Sequence, residues 1–266
     1  MLEVERYCAT KDGRRMPRGE RREETSADQQ ELNDKQAQRR LMRLINVNFD
    51  GRRGDMFVTL THAHGVEEEE AREEIGKMIK RMRAARKRKG MEDIKYILIT
   101  ECQSNRWHHH MIINHGLTLE EIQELWEKRG RTNASILSDT YTYGDLARYL
   151  VKTEKTRKGS DSRENAKMQR RKYGRRWSSS KNLEKPEVKK REIKPIRIGE
   201  APKAPKGYRL LPEWYMGADK FGNLFMYFCC VETEERTKAR EMREAKRKRK
   251  KPNARAAGRR GAKKAL

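Results

Sequence analysis

"RWHHHMIIN" occupies residues 106–114 and carries three of the chain's six histidines side by side. Met111, Ile112 and Ile113 continue it as an apolar run, and "IKYILITE" (94–101) precedes it. Both segments are rich in β-branched and aromatic residues and read as strands. Only "CQSNR" (102–106) separates the first strand from "WHHHMIIN" (107–114), which predicts a hairpin. On a strand, alternate side chains share a face. His108 and His110 therefore point one way and His109 the other. Two imidazoles at i and i+2 make a rigid platform for one ion, and a hard divalent cation also asks for oxygen. Glu101, at the end of the preceding strand, falls beside the start of the histidine strand. Glu101, His108 and His110 are thus the candidate metal ligands. A lone HxH can equally hold an adventitious ion or sit on a solvated edge; the carboxylate at the hairpin mouth favours ligation here.

Working outward, "MFVTLTH" (56–62) reads as a strand. "VEEEEAREEIGKMIKRMRAARKRKG" (66–90) reads as a helix, with Ile75, Met78, Ile79 and Met82 on one stripe, acids leading and bases trailing. "TLEEIQELWEKRG" (118–130) is a helix opened by a capping box, Thr118 with Glu121. "NASILSD" (133–139) is a strand, and "YGDLARYLVKTEKTRK" (143–158) a further helix. The order β-α-β-β-α-β predicts an α+β, ferredoxin-like antiparallel sheet with two helices on one face. The other face is left for a ligand or for the last helix. On that helix Leu146, Ala147, Leu150 and Val151 cluster on one side. Tyr149 and Lys152 lie together on the other, one turn apart.

The flanks read differently. Residues 1–25 are basic and aperiodic, a flexible N-terminus. A helix is expected from Ser26 through residue 45, with Leu41, Leu44 and Ile45 as its apolar face. The main domain is placed at 26–190. A small β-unit at 191–235 contains a hairpin, "YRLLPEWYM" (208–216) and "NLFMYFCCV" (223–231) around "GADKFG". The tail, 236–266, has 15 basic and 2 acidic residues and is expected to be disordered or a frayed helix. His62 and His64 form a second HxH beside Gly65. They read as loop residues and a competing site.

Charge narrows the partner. Lys plus Arg number 65 against 40 Asp plus Glu, a net +25. Nucleic acid is the polyanion that such an excess matches best. No apolar run approaches the roughly 20 residues of a spanning helix, and the N-terminus lacks a signal-peptide core. Cys8, Cys102, Cys229 and Cys230 have neither CxxC spacing nor a disulfide framework, so a reduced, cytoplasmic setting is expected and a zinc finger is not.

Over about residues 35–190 the combination resembles the HUH endonucleases. "FVTLTH" is similar to their first motif, "RWHHHMIIN" to the second and "RYLVK" to the third. "RRWSSSKNL" (175–183) also resembles a segment that follows the third motif in some members. The resemblance is strongest to replication-associated proteins of the rolling-circle type, related to the filamentous-phage gene II protein. These are found on bacterial phages, plasmids and integrative elements. It implies that Glu101, His108 and His110 hold Mg²⁺ or Mn²⁺, that Tyr149 is a single catalytic nucleophile, and that Lys152 is its partner. His109 takes the position where the family has an apolar residue. The implied activity is nicking of single-stranded or hairpin DNA at a replication origin, in a bacterial cytoplasm. A 5′-phosphotyrosine intermediate forms and a free 3′-OH is left. A host helicase and polymerase are candidate partners. Two alternatives stand beside this reading. One is a single-tyrosine HUH transposase. The other is a non-catalytic nucleic-acid-binding protein, although Phe57 and Tyr96 lack the glycine–aromatic spacing of an RNA-recognition module.

Overall fold

A computed structural model describes residues 1–7, 27–103, 106–151, 177–218 and 222–250. The chain divides into two compact units, Glu20–Lys189 and, together, Met1–Gly19 with Lys190–Leu266.

In chain order the described elements are β1 (Leu2–Tyr7), α1 (Ala27–Asn48), β2 (Met56–His62), α2 (Glu68–Arg88), β3 (Tyr96–Gln103), β4 (Arg106–Ile113), α3 (Leu119–Trp126), β5 (Gly130–Ile136), α4 (Gly144–Leu150), β6 (Ser178–Ser179), β7 (Tyr208–Ala218), β8 (Leu224–Glu232) and α5 (Glu234–Lys250). The larger unit contains α1 to β6. Its sheet runs β5-β2-β4-β3-β6, with every pairing antiparallel. Apart from the added edge strand β6, this is the ferredoxin-like strand order that β-α-β-β-α-β predicts.

Period-two alternation gives the sheet two different faces. On the back, Met56, Val58 and Leu60 of β2 join Leu98 of β3 and Met111 and Ile113 of β4. Against them pack Ile75, Met78, Ile79 and Met82 of α2 and Ile122 and Trp126 of α3. The α2 stripe is the expected one, with Glu68–Glu70 in its first turn and Arg86–Arg88 in its last, both favourable to the helix dipole. The α3 capping box forms as predicted: Glu121 N–H donates to Thr118 Oγ1 at 3.3 Å and Thr118 N–H to Glu121 Oε2 at 2.8 Å.

The front face is the one left open by the sequence. Ile97, Ile99 and Ile112 are covered there by Leu41 and Ile45 of α1 and by Ala147, Leu150 and Val151 at α4. Helix α1 is fixed at its end by Asn48, which donates to Glu184 O at 2.9 Å and accepts from Glu184 N–H at 2.8 Å. The middle of "RRWSSSKNL" supplies β6, and Ser180 exchanges hydrogen bonds with the Tyr96 backbone at 3.0 Å each way.

Two expectations change, and one falls partly outside the described residues. The last strand of the core starts at Gly130 rather than residue 133. A side chain at 130 would collide with the Thr61 carbonyl, so glycine lets the chain pass close enough to begin pairing with β2. Secondly, α4 is described only to Leu150, so Lys152 lies outside the described residues. Thirdly, the N-terminus is not featureless. Leu2 and Val4 alternate with Glu3 and Glu5, and this strand pairs with β8, giving the smaller unit a β1-β8-β7 sheet. The expected 208–231 hairpin supplies the other two strands. The described start of the tail, to Lys250, is helical.

Asp55 pins the start of β2. Its carboxylate is 1% exposed and accepts from Asp50 N–H at 2.8 Å and His115 N–H at 2.9 Å, beside Arg53 at 3.4 Å. Removing it strands two backbone donors in a dry site. Asp55→Ala is expected to lower unfolding free energy by roughly 2–4 kcal/mol, read as a shift in urea midpoint at unchanged slope. A loss below about 0.5 kcal/mol would show that water replaces the carboxylate, because surface substitutions away from such networks cost no more than that.

Candidate active site on the front of the sheet

Backbone register decides which side chains meet. In the β3–β4 ladder Ile99 faces His110, Thr100 faces His109, and Glu101 faces His108. In the β2–β4 ladder Thr59 faces His110 and Thr61 faces His108. Phe57, Thr59 and Thr61 therefore share the front face with His108, His110 and Glu101, while His109 goes to the back.

On the front, His110 Nε2 lies 2.9 Å from Glu101 Oε1. Its Nδ1 lies 3.1 Å from Thr59 Oγ1, and His108 Nδ1 lies 3.0 Å from Thr61 Oγ1. Each threonine fixes one ring nitrogen and so aims the other, the way outer partners orient metal-binding imidazoles. A hydroxyl can donate or accept, so it suits either tautomer. His110 is 6% exposed. Phe57 stacks on its ring, with centroids 5.8 Å apart and planes 8° apart.

Tyr149 completes the group. It is 45% exposed, yet its ring meets His110 edge-on at 6.0 Å and Phe57 at 6.4 Å. The helix turns this residue toward the sheet because Ala147, Leu150 and Val151 are buried against the front-face core. The helical pattern sets Tyr149 on a polar face; in the structure it lies at the border, with one side on the rings and the other toward solvent.

These residues fit a divalent cation in donor chemistry: one carboxylate and two oriented imidazoles. The 2.9 Å between Glu101 and His110 is also about the separation of two neighbouring ligands that each stand roughly 2.1 Å from one ion. Among the described residues, however, no three His, Cys, Asp or Glu side chains are already drawn together as a metal cage. Two of the three expected ligands touch, and His108 is brought alongside by register.

The middle histidine of the run has a separate environment. His109 is 0% exposed, with Nδ1 3.0 Å from Thr100 Oγ1 and Nε2 3.1 Å from His62 Nε2. Trp126 meets both rings edge-on, at 5.9 and 5.0 Å. His62, expected in a loop, is the last residue of β2 and 3% exposed. It is part of the back core, so the second HxH is not assembled on one surface. Burial lowers both pKa values, that of His109 from 6.5 to about 3.

Sequence reasoning does not single out Thr59, Thr61 and Phe57 as functional residues. The signal is present: alternation in "FVTLTH" puts all three on one face. It becomes visible only once β2 is placed beside the histidine strand.

Residues 55–154 match the family model of the replication-associated protein ORF2/gene II protein. The match runs from the start of β2 through α4 and includes Glu101, His108, His110, Tyr149 and Lys152. It supports kinship with replication initiators for this part of the chain. No curated protein and no solved structure matches the chain significantly. Among the described residues, no helix is long and apolar enough to cross a membrane.

The buried pair sets a pH dependence. A base whose folded pKa is depressed contributes full stability above its unfolded value. That stability is lost as pH falls from about 6.5 toward about 3. The limiting slope for His109 is about 1.4 kcal/mol per pH unit. Replacing both partners, as His62→Phe with His109→Leu, is expected to flatten the stability–pH curve between pH ~4 and ~6.5. An unchanged acid limb would place the pH sensitivity elsewhere.

Proposed function

We propose that the larger unit is a DNA-nicking and strand-joining endonuclease that starts replication by transferring a DNA 5′ end to Tyr149. The observation that carries this reading is the placement of the Tyr149 ring 6.0 Å from His110, on the sheet face that also holds Glu101. The family match over residues 55–154 supports a replication role for the same segment.

The chemistry follows from the groups present. A phosphodiester repels nucleophiles because it is anionic. Mg²⁺ or Mn²⁺, held by Glu101, His108 and His110, would neutralise charge on its non-bridging oxygens. Tyr149 Oη then forms a bond to phosphorus as the P–O3′ bond breaks. The phenolic proton is lost and the departing 3′-oxygen gains one through solvent, so the products are a 5′-phosphotyrosine and a free 3′-OH. The ester bond is conserved in number, which lets the reverse step rejoin strands without a nucleotide cofactor. Phe57 holds His110 and Tyr149 in a fixed relation, and Thr59 and Thr61 fix the orientation of the imidazole rings. Exposure on one side of Tyr149 gives the DNA its approach.

Incubation with single-stranded DNA from the replicon that encodes the protein, with Mn²⁺, is expected to yield a denaturant-stable protein–DNA adduct. Peptide mapping should place the phosphate on Tyr149. Tyr149→Phe should bind DNA but give no adduct, because only the hydroxyl is lost. Glu101→Ala and His110→Ala should lower cleavage at least ~100-fold, in the range ascribed to losing a key charge-stabilising group. An adduct on Tyr141 or Tyr143 would overturn the nucleophile assignment. Cleavage without any adduct would make the protein a hydrolytic nuclease.

A further inference from the structure

The smaller unit has a sheet whose two faces differ sharply. One carries Met226, Phe228 and Cys230 of β8, packed with Leu2, Val4, Leu210, Met216, Ile196 and Ala204. The register sends the intervening residues to the opposite face. There Tyr7 of β1 stands across from Phe225 of β8, and Tyr215 of β7 across from Tyr227 of β8. Four aromatic rings thus run across all three strands.

The rings are arranged as a surface. Tyr215 and Tyr227 stack at 5.2 Å with planes 24° apart, and Tyr215 meets Phe225 edge-on at 6.0 Å. Gly217, opposite Phe225, leaves room for the ring: a Cβ there would stand 2.9 Å from Phe225 Cζ. Tyr7 is 59% exposed and Tyr215 41%. A chain that needed these rings only for packing would have turned them inward. Exposed aromatics in a contiguous row are costly in water and mark a binding surface.

The ligand is indicated by charge. Residues 190–266 contain 23 Lys plus Arg against 9 Asp plus Glu. Strand β8 runs directly into α5, which bears 9 of those bases. Glu3 and Glu5 are the acids of the aromatic face, and Glu3 accepts from the Tyr227 hydroxyl. A polyanion with flat apolar groups satisfies both features, and single-stranded nucleic acid is that polymer: bases stack on rings while phosphates meet the basic flank.

We propose that the β1-β8-β7 face, through Tyr7, Tyr215, Phe225 and Tyr227, is a stacking platform for the bases of single-stranded DNA. Stacking supplies affinity that is largely independent of salt, whereas the basic flank supplies affinity that falls with salt. The platform does not depend on nicking by the other unit, so the two readings fail separately.

The test uses the full chain with EDTA present and a labelled oligo(dT) as probe, titrated over a range of salt. Tyr7→Ala and Tyr215→Ala should each weaken binding by roughly 5- to 100-fold at every salt concentration, the span of one base–ring stack. The log affinity–log salt slope should stay that of the parent, since no phosphate contact is lost. A Tyr7→Phe, Tyr215→Phe double variant should bind like the parent, because the rings remain. With bromodeoxyuridine in the oligonucleotide, irradiation should attach it to Tyr7, Tyr215 or Phe225 of the parent. Unchanged affinity in the alanine variants, a loss that appears only as a change of slope, or adducts confined to other residues would each overturn the proposal. So would a parent dimer that Tyr7→Ala converts to monomer, since a second copy would then be the occupant.

Discussion

The antiparallel register of β2, β4 and β3 is the constraint from which the site descends. It sets Thr59, His110 and Ile99 in one row and Thr61, His108 and Glu101 in the next. Side chains alternate with period two, so a slip of one residue would exchange the faces of the whole strand. His109 and Met111 would go to the front, and His108 and His110 would enter a core lined by Leu60 and Trp126. The register is held from both sides. Met56, Val58, Leu60, Met111 and Ile113 all need the back core, and Phe57, Ile97 and Ile112 all need the front. The apolar ends of the strands therefore position the polar ends. Three adjacent histidines are compatible with one strand because the pleat sends them to two environments.

Those environments impose different chemistry on one residue type. His109 is fully buried against Trp126 and His62, and burial keeps it neutral. It fills a core position that an aliphatic side chain could fill, and its two nitrogens are met by Thr100 and His62. His110 is almost as buried, but it faces Glu101 instead of an apolar wall. His110 has a carboxylate beside it, an oxygen donor that could share a cation, whereas His109 meets only a hydroxyl and a second buried imidazole. The sequence shows only the run. The partner across the ladder decides the environment of each member.

Much of this is legible in the sequence. The 94–114 hairpin, the α2 stripe and the Thr118–Glu121 capping box each follow from local pattern, and the ferredoxin-like order follows from them. Glu101 can be found because a short turn leaves little choice about what lies beside it. The anchoring threonines cannot, because β2 and β4 are far apart in sequence and only the closed sheet makes them neighbours. Strand β1 escapes notice for a related reason. Its Leu2 and Val4 signal is two residues long and flanked by charge, and its partner lies more than 200 residues away at Phe228 and Cys230. The border position of Tyr149 does not emerge from a helical wheel. A wheel ranks residues by angle, whereas the broad face of a sheet lets a flank residue reach rings on β2 and β4 beyond the buried stripe.

Where the candidate site lies along the strands also has a physical consequence. On the front face, Ile112 is buried in the α1 and α4 core, His110 is 6% exposed, and His108, two residues nearer the hairpin turn, is partly exposed. Dielectric therefore rises along a single strand, from packed interior to open surface. Charge interactions strengthen toward the buried end, while a bulky polymer can reach only the other. A cavity of about 320 Å³ among Arg72, Ile75, Tyr96, Leu98 and Trp177 lies apart from the candidate site, because Leu98 and Tyr96 point to the back. The candidate site is instead a floor with one open side. The front of the sheet has that form: Phe57 and the α4 core close it below, and the exposed side of Tyr149 faces out.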